Sequence, residues 1–316
     1  MMLKVCLTVN LIQMKTTEEL QNLYESKLKP ALQAIEGKRK SILIKYIICI
    51  VGALGAFATA FFLAETYIVV FYLAIAAILG LGLYMFLVVR KEQKTYRAIY
   101  KTDVVKHIVN LINPDWQYES EGRISTTNYH SSQLFNKRYD KYEGDDLVTG
   151  TIEKTDFRFS ELHTQYKTVK TDSEGKREED WHTIFKGLFA HADFNKEIKG
   201  RTFILPQHAS KQINEFGMSM NDGGKTELVK LENVEFEKIF KVYGTDQVES
   251  RYVLTPRMME AMVNIYKHYK RRVYFSFIGS RVYVAMSFNK DLFEPRILKS
   301  GVRFEDMERG SSGSFK

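Results

Sequence analysis

The residues best suited to chemistry in this 316-residue chain are carboxylates. Glu143, Asp145 and Asp146 fall within four positions. Hard divalent cations are held by oxygen ligands of this kind when several converge. A nuclease or phosphohydrolase site would need further ligands from elsewhere, for which Glu161 and Asp246 are candidates, with His163 beside them. The spacing alone favours a plainer reading, a polar turn through Gly144-Asp145-Asp146. His163, His182 and His191 lie in strand-forming sequence and can approach one another across a sheet, but no HxH, HExxH or CxxC spacing accompanies them. Ser160 lacks the flanking glycines of a nucleophile elbow, and Gly223-Gly224-Lys225 lacks the spacing of a phosphate loop. No cofactor is expected from these motifs, and a non-catalytic role is favoured over an enzyme.

Basic residues point towards a surface. Lys267, Lys270, Arg271 and Arg272 stand beside Tyr266 and Tyr269, the best basic-aromatic group in the chain. It could touch anionic headgroups, although a solvated helix end explains it more simply. Over the whole chain Lys and Arg number 46 against 38 Asp and Glu, a net charge of +8. After residue 90 the two signs are interleaved, unlike the concentrated basic face that grips duplex phosphates, so nucleic acid is not an expected partner. Cys6 and Cys49 are the only cysteines, which excludes a disulfide framework or a thiolate metal site in the C-terminal part.

The elements that must carry these residues divide sharply. No charged residue occurs from 46 to 64 or from 67 to 89, and only Glu65 and Thr66 separate the two runs. About 20 apolar residues in a helix cross a hydrocarbon core of about 30 Å. Two antiparallel spans are therefore expected, at about 42–64 and 67–89, making contact with a lipid bilayer. Lys38, Arg39 and Lys40 precede them, Arg90 and Lys91 follow, and the connecting loop has no basic residue. The positive-inside rule then predicts both termini in the cytoplasm, for a bacterial chain at the inner membrane. Gly52, Ala56 and Ala60 recur every fourth residue, as do Ala76 and Gly80; such spacing serves either the hairpin itself or a homo-oligomer.

Outside the spans, Thr16 and Glu19 have capping-box spacing, and Leu20 to Ile35 follow a helical period ending at Gly37, with Pro30 a candidate kink. Residues 99–112 carry a second helical period, stopped by Asn113-Pro114. The two would run side by side as a cytoplasmic stem. Residues 1–13 lack a signal-peptide cleavage site, so they read as a short leader or as sequence upstream of a start at Met14. Strands are predicted at 156–169, 180–194, 201–206, 225–231, 236–243 and 250–255. A helix is predicted from Pro256, and a hairpin at 273–278 and 281–288 turning at Gly279-Ser280. Residues 214–224 read as a loop. The expected organisation is an amphipathic helix over 1–40, a transmembrane hairpin over 41–90, a stem helix over 91–113, a cytoplasmic domain over 114–305 and a flexible tail over 306–316. The fold class is α+β with a mostly antiparallel sheet.

Several motifs together are similar to a known family. They are Leu134-Phe135, Tyr142-Glu-Gly-Asp-Asp146, Phe159-Ser-Glu-Leu-His163, Phe185-Lys-Gly-Leu-Phe189, Ala192-Asp-Phe-Asn-Lys196, Tyr243-Gly-Thr-Asp-Gln-Val-Glu249 and Arg251-Tyr-Val-Leu-Thr-Pro256. In this order they resemble the bacterial domain of unknown function numbered thirty-one thirty-seven, over roughly residues 95–300. The resemblance implies two N-terminal spans ahead of the domain and supplies no catalytic residue. The expected function is that of a membrane-held binding or scaffold module for an unidentified protein partner or for lipid headgroups. The alternative is a tethered metal-dependent hydrolase using Asp145 and Asp146.

Overall fold

A computed structural model describes residues 25–26, 29–63, 68–171, 175–207, 226–295 and 297–298. The expected capping box at Thr16, the tight loop at 65–66, the 214–224 loop and the 306–316 tail lie outside them. The chain divides into two compact units, one centred on residues 17–108 with 293–314, the other on 109–292.

The first unit is helical. Helix α1 (Lys29–Leu63) runs 35 residues, about 50 Å, which exceeds a hydrocarbon core by some 20 Å. The expected boundary at Gly37 is absent: the helix continues through it into the apolar run. Glycine weakens a helix interior by only about 1 kcal/mol, and the buried line Leu32, Ile35, Ile42 and Cys49 holds the helix on both sides of that point. Pro30, the candidate kink, is the second residue of α1 as described, directly after residues 27–28, which lie outside the described ones. Helix α2 (Ile68–Tyr84) is followed by a π-helical turn at Met85–Val89, helix α3 (Arg90–Tyr100), a second π turn at Lys101–Val105 and helix α4 (Lys106–Ile112). Each π turn inserts a residue into the helical phase, and Val89, Val104 and Val105 are buried there.

Two helices of this unit are long and apolar enough to cross a membrane. Their large apolar side chains mostly point outward: Phe57 is 64% exposed and Leu79 68%. The small-residue line serves the hairpin at one point at least, since a Cβ at Gly52 would lie 3.1 Å from Leu81 Cδ1. Near the end of the apolar run, Lys45 pairs with Glu92 and the Tyr46 hydroxyl donates to Gln93 at 3.1 Å. Residues 293–298 belong to the helical unit as well, fastened by Glu294 and Ile297.

The second unit is built on an antiparallel sheet of β1 (Gln117–Glu119), β2 (Lys141–Ile152), β3 (Thr155–Thr171), β4 (Arg177–Pro206), β5 (Glu227–Val229), β6 (Phe240–Gly244) and β7 (Val273–Ser287). The order is β1-β2-β3-β4-β6-β5, with β7 also on β4. The 30-residue β4 organises it. Its first half pairs with β3 and its last five residues with β6, while β7 follows it from Gly187 to Ile204. Register breaks between Asp193 and Arg201, with Asn195 in the left-handed region, bend the strand. Gly187 is required by close approach: a Cβ there would run into the Met286 carbonyl of β7.

Three sequence expectations are corrected. The segment 273–288 is one strand with a bend at Gly279 (φ 60°), because both halves find their partner on β4 and neither needs the other. Residues 250–255 form no strand but end helix α7 (Gln247–Val253), whose N-terminus Asp246 caps by accepting from Val248 N and Glu249 N at 2.8 and 2.9 Å. Residues 236–239 complete helix α6 (Val234–Ile239), capped by Asn233, before β6 begins. The helix from Pro256 is α8 (Pro256–Tyr269), with Thr255 as its cap; Met259, Met262 and Val263 are buried, whereas Tyr266 on the same predicted face is 37% exposed. A short helix α5 (Thr126–Ser131) puts Tyr129, with Leu134 and Phe135 after it, into the core beside Phe185 and Phe189.

Candidate functional site

The acidic group lies on strands, not in a turn. Strand β2 carries Asp145 directly opposite Glu161 of β3. A bulge between Asp145 and Val148 puts Asp146 in the left-handed region (φ 58°), and its N–H donates to Ser120 O at 3.2 Å. The bulge breaks strand alternation. Ligand oxygens of Asp145, Asp146 and Glu161 thereby lie within 4.8 Å of one another. Asp146 is 1% exposed and Glu161 8%. Gly144 lets the strands close here, since a Cβ on it would meet the Glu161 carbonyl oxygen.

Like charges this close, out of water, do not all ionise at neutral pH. The arrangement lessens the conflict in three ways. The Tyr118 hydroxyl, from β1, donates to Asp146 Oδ1, and Leu292 N donates to Glu161 Oε1 at 2.6 Å. Burial, reinforced by Asp146, Asp145 and Asp291, pushes Glu161 up to about 8 against the opposing pull of the Leu292 N–H. Burial also raises the Tyr118 hydroxyl, as does its bond to Asp146, so it stays protonated as a donor. At neutral pH the group therefore tends to hold a proton on Glu161. An all-oxygen set of this kind suits Mg²⁺, Ca²⁺ or Mn²⁺.

The other singled-out residues are dispersed. Glu143 is exposed and paired with Lys141 at 3.0 Å, and Asp246 is committed to its cap. His163 lies opposite Glu143, next to Thr183 Oγ1 at 3.3 Å; burial, followed by Lys186, lowers its pKa. His182 contacts Thr168 Oγ1 at 2.9 Å and stacks on Tyr166, while His191 is buried near Tyr283. The register puts His163 opposite Lys186 and His191 opposite Arg158, so the histidines do not converge. Ser160 is fully buried and accepts from Ile124 N at 3.1 Å, a structural role.

In the basic-aromatic group, Lys267 pairs with Glu235 at 2.5 Å, Lys270 holds the left-handed C-cap of α8, and Tyr269 is buried. Arg271 and Arg272 follow directly on that cap. Among the residues flanking the apolar runs, Lys38, Lys40, Arg90 and Lys91 are exposed, and the Arg90 guanidinium lies over the Phe86 ring. Arg39 differs. It is buried, with Nε and Nη2 on the Glu36 carboxylate at 2.8 and 2.6 Å.

Sequence reasoning missed two features. One is the ribbon at the far end of β3 and β4, where Trp181 lies opposite Lys167 and is 46% exposed, with Val169 50% exposed on the same face. The other is the contact of residues 293–298 with the helices. A lone exposed Trp in a charged strand was the available signal for the first; nothing local announces the second.

No curated protein matches the chain. The crystal structure of the mycobacterial trehalose monomycolate transport factor A, TtfA, aligns over 62% of this chain and 83% of that one, at 10% identity and a TM-score of 0.30. A likeness at that level carries no argument about fold or role. The family comparison reaches less of the chain than the motifs suggested, leaving out those at 134–163 and extending beyond 300. Residues 183–312 are similar to the family described as Protein of unknown function (DUF3137), and ahead of them lie two helices long and apolar enough to span a membrane.

Proposed function

We propose that this chain is an integral protein of a bacterial inner membrane, with both termini cytoplasmic. Its hairpin tethers a non-catalytic α+β domain, over about 114–305, that binds a protein partner or lipid headgroups. One observation carries the reading: the apolar side chains of α1 and α2 are exposed over the length of a bilayer and bounded by exposed Lys38, Lys40, Arg90 and Lys91. Water opposes such a surface and lipid accepts it. The exposed Trp181 and Val169 on the β3–β4 ribbon supply an aromatic contact of the type enriched in protein interfaces.

A photo-crosslinking residue at Trp181, in the full-length protein in its native membrane, tests the binding role. A discrete protein or lipid adduct is expected there and not at Glu178 on the opposite face. Absence of any site-dependent adduct contradicts it.

The buried acidic group supports a second reading, a tethered metal-dependent hydrolase. Turnover of a broad phosphoester or peptide panel by the full-length protein with Mg²⁺ or Mn²⁺, lost in Asp145→Asn and Asp146→Asn, would establish it in place of the first.

A further inference from the structure

The helices of the first unit carry a cationic seat for an extended chain. Glu36 grips two nitrogens of Arg39, leaving Nη1 to donate to the carbonyl oxygen of Ile297 at 2.6 Å. Across from α1, Arg97 Nε lies 3.1 Å from Glu294 Oε2, and Lys101 Nζ lies 3.3 Å from Glu294 Oε1. One carboxylate is thus held by two cations four residues apart, and one backbone carbonyl three residues later by a third cation. Arg39 is positioned by Glu36, a residue of its own helix, so that part of the seat does not depend on its occupant.

The occupant's described residues, 293–295 and 297–298, are in no helix and pair with no strand. Glu294 precedes Pro295, which disfavours the helical region for Glu294 and extends the chain. Leu298 is 83% exposed and Arg97 is half-exposed, so the attachment is peripheral on that side. Lys101 is different: its side chain is 7% exposed, and a cation so placed requires an anion beside it. The seat therefore discriminates. It accepts an acidic extended segment and penalises a neutral one.

We infer that Arg39, Arg97 and Lys101 form a peptide-binding site whose resident ligand is the chain's own segment 293–298, and that an extended acidic segment of a protein partner, with its acidic residue before a proline, displaces it. The resident segment is tethered, so its effective concentration is high although its ionic contacts are individually weak. Weakening it from within should open the site. This goes beyond the role proposed for the sheet domain and does not depend on it.

The test uses full-length protein in detergent and a fluorescein-labelled peptide of residues 289–298, followed by anisotropy. Glu294→Gln in the protein should tighten peptide binding at least tenfold over the wild type. Glutamine in place of glutamate in the peptide removes the partner of both cations and should cost roughly tenfold, whereas Arg97→Gln added to the protein should cost only about two- to fivefold, the weight of one half-exposed ion pair. Mixed dimers of wild-type and Glu294→Gln chains in light scattering would also support the site, naming a second copy as the donor of the segment. Equal binding to wild type and Glu294→Gln, or equal binding of the glutamate and glutamine peptides, overturns the inference. Arg97 is half-exposed, so its substitution tests the charge without emptying a core position.

Discussion

Phe57 in α1 and Phe189 in β4 are the same residue under opposite rules: one is 64% exposed, the other fully buried. In the sheet unit, aromatic rings turn inward and surround one another, as Tyr129 does with Phe135, Tyr142 and Phe189. In the two apolar runs of the helical unit the large rings such as Phe57, Phe61, Tyr72 and Phe86 turn outward, and the unit's buried positions go to Ile42, Cys49, Ala74, Val89 and Tyr96, together with the ion-paired Arg39 and Lys101. The apolar payload of the first region is thus saved for a solvent other than water, whereas that of the second is spent on its own core. Composition averaged over the chain hides the difference.

The largest expected effect comes from reversing burial in the sheet unit. Phe189→Ala should cost about 3–5 kcal/mol. Trp116 and Trp181 both lie in the sheet unit, so tryptophan fluorescence during denaturation reads this directly. A loss under 1 kcal/mol would mean the ring is not the core element described.

The comparison sharpens when one substitution is made in both regions. Phe57→Asp puts a carboxylate into a span, at about 2.5–3.5 kcal/mol near the helix centre, and should lower the fraction of protein that enters the membrane. Val248→Asp in α7, at a side chain 76% exposed, should stay within about 0.5 kcal/mol by denaturation. Similar behaviour of the two variants would erase the distinction.

Within the sheet unit the two buried titrating groups should act in opposite directions. Glu161 has its pKa raised from 4.5 to about 8, so the folded state binds the extra proton between those values. Stability should then fall as pH rises through that window, by up to ~1.4 kcal/mol per pH unit. Glu161→Gln should flatten the slope and be the more stable form at pH 8. His191 has its pKa lowered from 6.5 to about 4, first by burial and then by Arg281 and Arg158. Its contribution is present above pH 6.5 and lost as pH falls towards 4, and His191→Gln should remove that acid sensitivity. Melting temperatures of the three proteins from pH 4 to 8.5 check both signs.

The sequence states local rules well and distant ones poorly. The two long apolar helices, the Asn113-Pro114 stop, the Thr255-Pro256 helix start and the long strand β3 all follow from periods and caps within a few residues. Helix α7 follows the same local rule, since Asp246 and Glu249 have capping-box spacing, a signal that the strand expected at 250–255 left unread. The single strand β7 was not readable, because only the length of β4 decides that both halves of 273–287 pair with it and not with each other. The same holds for the acidic group. Its residues were recognisable by type, whereas their convergence depends on a bulge and on a register that matches Asp145 to Glu161. The seat for residues 293–298 joins positions more than 250 apart, and no local pattern encodes it.

The claim that α1 and α2 cross a bilayer is tested most directly by cysteine labelling in intact cells. In a background carrying Cys6→Ser and Cys49→Ser, Thr66→Cys is expected to react with a membrane-impermeant maleimide from outside. Trp181→Cys is expected to react only after the membrane is permeabilised. Reaction of Trp181→Cys in intact cells, or recovery of the unmodified chain in the soluble fraction after an alkaline carbonate wash, would contradict the account.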